Sequence, residues 1–283
     1  MAALLIGAGG LTSCNLVFEE GKSTSIDAPK ILDGTVVDPN IRISKAFTAP
    51  METSVSGGNP TLAFNETELW SVNPTQPYDL QTAKPPSTPS TPPKWTNVSA
   101  AATLLNGDKN EVEPALTKDG SLLAFASDRS GGVYTLFLAK RNTISLLFDA
   151  PIQTNLTFPT DFRGFDMSPD GLKLYIFDNG MLRVMKRSSL NGEFVFDKMI
   201  TLPTTDFSYP SVSFDELEIL YNDKDTPSVM HATLAKDKNS YEKPSALAVG
   251  ETCMNTFNDA DFSADAMTVV YRCDSSIHIA RRQ

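Results

Sequence analysis

The sequence predicts an all-β protein, a β-propeller of five four-stranded blades whose ring closes by pairing strands from the two ends of the chain. Three observations predict it. Five segments repeat one pattern: NPTLAFNETELWSVN from Asn59, EPALTKDGSLLAFAS from Glu113, GFDMSPDGLKLYIFD from Gly164, YPSVSFDELEILYND from Tyr209 and DADFSADAMTVVYRC from Asp259. Their second residues, Pro60, Pro114, Phe165, Pro210 and Ala260, lie 54, 51, 45 and 50 apart, the length of one four-stranded blade. The last repeat stops after three strands, and a strand-like stretch ahead of the first repeat supplies the fourth.

At the start of the chain, a run of apolar and small residues from Ala2 leads into Leu11-Thr12-Ser13-Cys14. The run is too short to cross a bilayer as a helix. It resembles a bacterial lipobox, which implies a signal peptide over residues 1–13 and a lipid-modified Cys14 as the first mature residue. Two acyl chains anchor a protein where one does not. By the same resemblance, in a host with two membranes Asn15 after the cysteine, where an Asp could stand, directs the protein to the outer one. Residues 14–30 are polar and read as a tether, leaving residues 31–283 as a single propeller domain.

Residues 41–48 read as the outer strand of the last blade, since they precede the first repeat as residues 195–200 precede the fourth. Closing the ring this way removes exposed sheet edges. A six-bladed ring is the alternative and would need a blade from residues 15–40. In blade one, residues 84–94, KPPSTPSTPPK, cannot be interior strand because proline lacks the ladder donor, so they form a loop between the third and fourth strands.

Blade two shows the full meander. Residues 113–116 lead through Lys118-Asp119-Gly120 into residues 121–126, a loop at 127–132, a strand at 133–139 and a fourth strand near 145–148. Blade three has the same order, with turns at Pro169-Asp170-Gly171 and Asp178-Asn179-Gly180. Asp and Gly at these places supply the backbone that hairpin turns need, so these aspartates read as turn formers. In blade five, Cys253 precedes the first strand and Cys273 ends the second, near enough to pair in an exported protein or to pack as two small apolar side chains.

Composition sets limits on function. Of 283 residues, 41% are hydrophobic and 20% charged, values of a folded globular chain. The net charge of −10, with no basic run longer than two residues, excludes a nucleic-acid surface. There is no nucleophile elbow, zinc-protease motif or phosphate loop, and His231 and His278 fall on third strands, away from the channel.

The segment from Pro114 to Gly132 and its echo from Met167 resemble the WD40-like propeller repeats of the TolB family, over residues 59–281. That family has six blades and an additional α/β domain, and this chain carries neither the sixth repeat nor that domain. The resemblance implies a bacterial periplasmic or cell-surface setting and a binding role.

Propeller ligands usually sit over the channel, where the loops entering the innermost strands converge. The candidates there are Asn110, Glu113, Asp161, Arg163, Asp206 and Asp259, acidic groups with one arginine that suit a cation or a network of sugar hydroxyls. The same aspartates also suit strand-entry capping. The reading is therefore a monomeric, non-enzymatic envelope protein without cofactor, binding a protein or glycan and touching the membrane through its lipid anchor alone. The alternative is a five-bladed glycoside hydrolase that uses channel carboxylates.

Overall fold

The alternating apolar residues of the repeats become antiparallel sheets. The computed structural model describes residues 47, 48, 50–63, 66–87, 94–98, 102–117, 119–158, 162–226, 228–249, 253, 257–263 and 266–282. Blade one is β2 (Gly58–Leu62), β3 (Leu69–Val72), β4 (Leu80–Lys84) and β5 (Thr96–Asn97). Blade two is β6 (Glu111–Leu116), β7 (Leu122–Ser127), β8 (Thr135–Lys140) and β9 (Ile152–Thr157). Blade three is β10 (Phe165–Met167), β11 (Lys173–Asp178), β12 (Met181–Lys186) and β13 (Val195–Ile200). Blade four is β14 (Phe207–Val212), β15 (Glu218–Asp223), β16 (Val229–Leu234) and β17 (Tyr241–Ala246). Blade five takes β18 (Phe257–Phe262), β19 (Thr268–Cys273) and β20 (Ser276–Arg281) from the end of the chain and β1 (Met51–Ser56) from before blade one.

The innermost strands touch in a closed cycle, β2 to β6, β10, β14, β18 and back to β2, so the ring has five blades and not six. Each blade is buried on both faces by its neighbours, which is why β7, LLAFAS, is buried along its whole length. Between blades five and one, for example, Val55, Leu62, Leu69, Val270, Ile277 and Ile279 form one apolar cluster. Such contacts tie the blades together at about 25 cal/mol per Å² of apolar surface removed from water.

The turns between first and second strands repeat one hydrogen-bond pattern. Thr117 Oγ1 donates to Asp119 Oδ1 at 2.7 Å, and Asp119 accepts from Ser121 N at 2.9 Å. Ser168 with Asp170 and Ser213 with Asp215 do the same, at 2.6 and 2.7 Å. These aspartates shape turns. The turns mark the far end of the channel, and the innermost strands begin at the opposite end, the mouth.

Two strand assignments differ from expectation. The strand that pairs with β20 is β1, residues 51–56, later in the chain than expected: Met51 pairs with Ile279, Glu52 with His278 and Ser56 with Ser276, whereas Phe47 makes a single bridge to Arg282 and residues 41–46 lie outside the described residues. Thr53 and Val55 point inward and are buried, and Thr53 Oγ1 donates to Ile277 O at 2.8 Å. A strand whose buried residues are one threonine and one valine has too little apolar signal to stand out. In blade two the fourth strand is β9, and residues 145–148 belong to the loop before it. The Asn142 side chain accepts from Ile144 N and Ser145 N at 2.9 and 3.0 Å, which turns the backbone away from the ladder.

Cys253 and Cys273 are joined in a disulfide, with Cα atoms 5.3 Å apart and a sequence separation of 20. The bond ties the connection entering β18 to the end of β19. Replacing both by serine is expected to lower stability by about 3 kcal/mol, the loop-closure entropy returned to the unfolded chain. Denaturant titration with and without reductant measures it, and coincident midpoints would show that this loop is restrained by packing alone. Cys14 and the rest of residues 1–30, over which a signal peptide and a tether are expected, lie outside the described residues, as do residues 88–93 of the proline-rich loop.

Candidate functional site

The channel is built by one backbone device repeated around the ring. The residue before each anchor has a left-handed backbone: Asn59 at φ 48°, Glu113 at 55°, Gly164 at 97°, Tyr209 at 51° and Asp259 at 52°. In the four blades where it carries a side chain, the pairing of first and second strands slips at this point, as in a β-bulge. Three of the five anchors are proline, which has no N–H for the ladder. Holding four non-glycine residues left-handed costs about 1 kcal/mol or more apiece. The result is a ring of side chains turned into the channel.

Gly164 shows how full that ring is. A β-carbon there would lie 3.0 Å from Tyr209 Cα and 3.1 Å from Glu113 Oε2, so the Glu113 carboxylate reaches across to the wall of blade three. Asp259 is 4% exposed, forms an ion pair with Arg272 at 3.1 Å and accepts from Asn59 N at 3.4 Å. Arg272 also donates to Asn258 Oδ1 at 2.8 Å, which fixes its position.

Burial pushes the Glu113 carboxyl well above its ordinary value, the Asp259 charge pushes it further, and Arg272 pulls back. Burial likewise raises Asp259 against the opposing effect of Arg272. The Glu113 charge, followed by burial, raises the Tyr209 phenol, while a hydrogen bond with the Asn59 side chain opposes the shift. Charge in this space is therefore costly, and Arg272 is the group that offsets it.

Beneath this ring the channel narrows. Thr61 and Ser211 donate to opposite oxygens of Asp261 at 2.7 and 2.6 Å, and Asp166 accepts from Val212 N at 2.7 Å. The space left is about 30 Å³, enough for one water. Above the ring it opens into a cavity of about 480 Å³, lined by Tyr78, Glu113, Tyr134, Phe162, Tyr209 and Arg272 among others. Phe162 is stacked on Phe158 at 4.1 Å and lies 6.2 Å from Tyr134, so the aromatic wall is held from behind.

Of the six candidates read from the sequence, the structure brings Glu113 and Asp259 together in the channel. Asn110 lies behind the mouth: it accepts from Tyr78 N at 3.1 Å and donates to Asp128 at 3.0 Å, positioning Tyr78 instead of facing a ligand. Arg163 and Asp206 pair with each other on the rim, and Lys224 closes on Asp206 at 2.8 Å. Hydrogen bonds from Lys224 and Arg163 hold the Asp206 carboxyl below its ordinary range. Asp161 lies outside the described residues. Tyr78, Tyr134, Phe162, Tyr209 and Arg272, none of them among those six, also line the cavity. Among the described residues no three His, Cys, Asp or Glu side chains are arranged to hold a metal ion.

No family model matches the chain, and neither does any curated protein. Among solved structures it is similar to TolB from Acinetobacter baumannii, with 14% identity and a TM-score of 0.45 over 80% of this chain and 54% of that one. A structural genomics protein of unknown function from Bacteroides thetaiotaomicron gives 12% and 0.45, over 81% and 60%. A functionally unknown protein from Desulfotomaculum acetoxidans gives 14% and 0.43, over 78% and 64%. The chain thus spans between about half and two thirds of the length of these proteins. None of these likenesses carries function across.

Proposed function

We propose that this propeller is an exported, lipid-anchored binding protein of the bacterial envelope that takes a glycan at the channel mouth without turning it over. The mouth carries the reading: a cavity of about 480 Å³ in which aromatic rings from several blades face a carboxyl group and an arginine. Rings stack on the apolar faces of sugars, and fixed polar groups at the floor select hydroxyls. The lipobox-like residues before Cys14 support export, and a disulfide suits an oxidising compartment.

The hydrolase reading has one observation in its favour, the raised Glu113 carboxyl, which suits a general acid. A glycosidase needs a second carboxylate within reach of the same bond. Asp259 is the neighbour available, and its side chain is 2% exposed and engaged by Arg272, so binding is the better reading. Titration with peptidoglycan fragments and envelope polysaccharides tests it. Tyr134→Ala and Glu113→Gln are each expected to weaken glycan binding about tenfold, whereas Asp206→Asn on the rim leaves it unchanged. Release of reducing sugar would establish the hydrolase instead, and no binding to any of these glycans would overturn the glycan reading.

A further inference from the structure

We propose that the far end of the propeller, opposite the mouth, rests on a lipid bilayer, with the tip of the β8–β9 connection inserted among the acyl chains. This rests on the reading of Cys14 as a lipid site in one respect, that a bilayer is present.

The tip is built to hold apolar side chains in water. Asn142 accepts from Ile144 N and Ser145 N, Leu146 N donates to Asn142 O at 2.9 Å, and Asn142 N donates to Leu147 O at 2.7 Å. Arg141 Nη1 donates to Leu146 O at 2.9 Å, and its guanidinium lies over the Phe148 ring at 4.2 Å. This well-bonded loop displays Ile144 at 93%, Leu146 at 64% and Leu147 at 43% exposure. Loop tips are usually polar, and apolar clusters on a surface mark contact sites.

Position singles out the partner. Of ten large apolar side chains exposed among the described residues, eight are at the far end. Besides these three they are Ile152, Leu190, Val195, Phe196 and Leu217, carried by the turn ends of blades two, three and four. The other two, Leu104 and Val133, are at the mouth end. The chain enters the ring at Phe47, which bridges Arg282 just past the end of β20, again at the far end. The 46 residues before it, Cys14 included, therefore join the described ring at the same end that carries the apolar tips. An acyl anchor and an inserted tip then act as two signals on one surface and turn the mouth away from the membrane. With a net charge of −10 the contact is hydrophobic, suited to zwitterionic lipid.

The test uses the full chain, expressed with lipidation and placed on vesicles of phosphatidylethanolamine and acyl-brominated phosphatidylcholine. The indole introduced by Leu146→Trp is expected to be quenched by the bromines, and that introduced by Val133→Trp at the mouth end is not. Absence of quenching in Leu146→Trp, or equal quenching in both, overturns the proposal. In a Cys14→Ser background, which cannot be acylated, adding Ile144→Ser, Leu146→Ser and Leu147→Ser together is expected to lower vesicle partitioning about tenfold. Unchanged partitioning overturns it, as does a dimer in sedimentation that the triple change converts to monomer, since the face would then join copies of the chain. If Cys14 takes up no palmitate label while the quenching persists, lipidation fails and the membrane-facing end stands.

Discussion

A chain lacking residues 47–56 is expected to lose cooperative folding, because blade five would lose β1 and the ring the strand that closes it. The deletion removes the ladder to β20, the Thr53 hydrogen bond to Ile277 and the burial of Val55 against Leu62, Leu69 and Ile279. It also removes Phe47 from its apolar cluster. We expect a loss of more than about 5 kcal/mol, comparable with the whole stability of many domains. Circular dichroism melts measure it. A deletion ending at residue 46 leaves the β1 ladder whole and is expected to keep the transition. Val55→Asp gives a graded check at about 3 kcal/mol, since it buries an unpaired carboxylate in the seam. A ring that melts normally without residues 47–56 would mean that blade five is complete without β1.

The blades were legible because each repeats a short apolar strand, an Asp-containing turn and a second apolar strand, and a sheet buried on both faces leaves continuous runs such as LLAFAS. β1 was not, because only Thr53 and Val55 of it are buried and, Met51 apart, its remaining residues are polar. The channel ring was written in the repeats without being readable as a ring. Asn59, Glu113, Gly164, Tyr209 and Asp259 are the first letters of the five segments, but only their left-handed backbone shows that they turn inward. Reading by charge alone selected Arg163 and Asp206, whose partner Lys224 sits in a different connection, so their mutual neutralisation is a property of the fold. Tyr78, Tyr134 and Phe162 come from three separate connections and share no sequence pattern, so only the closed ring assembles them into a wall.

Glu218→Ala is expected to destabilise the propeller by about 3–5 kcal/mol, because it strands a buried cation at the seam between blades four and five. Arg282, its side chain 2% exposed, contacts Glu218 Oε2 at 3.1 Å, and His231 Nε2 lies 3.1 Å from Oε1. Burial pushes the Glu218 carboxyl up, but the His231 hydrogen bond and the Arg282 charge more than offset it and hold the group below its ordinary value of 4.5. A depressed carboxylate contributes stability above its unfolded value and loses it as the pH falls through the folded one. The wild type should therefore lose its advantage over Glu218→Gln as the pH falls below about 4.5. Denaturant melts across that range measure it, and a pH-independent difference would show that packing, and not charge, sets the loss. The double variant Glu218→Leu with Arg282→Met separates the two further. Replacing a buried ion pair by apolar groups of similar volume is often neutral, so the double change should recover most of what Glu218→Ala loses. If it is as unstable as the single variant, the pair holds the last blade to the fourth through its geometry, and Arg282 is needed where it stands, beside Phe47 and the entry of the chain into the ring.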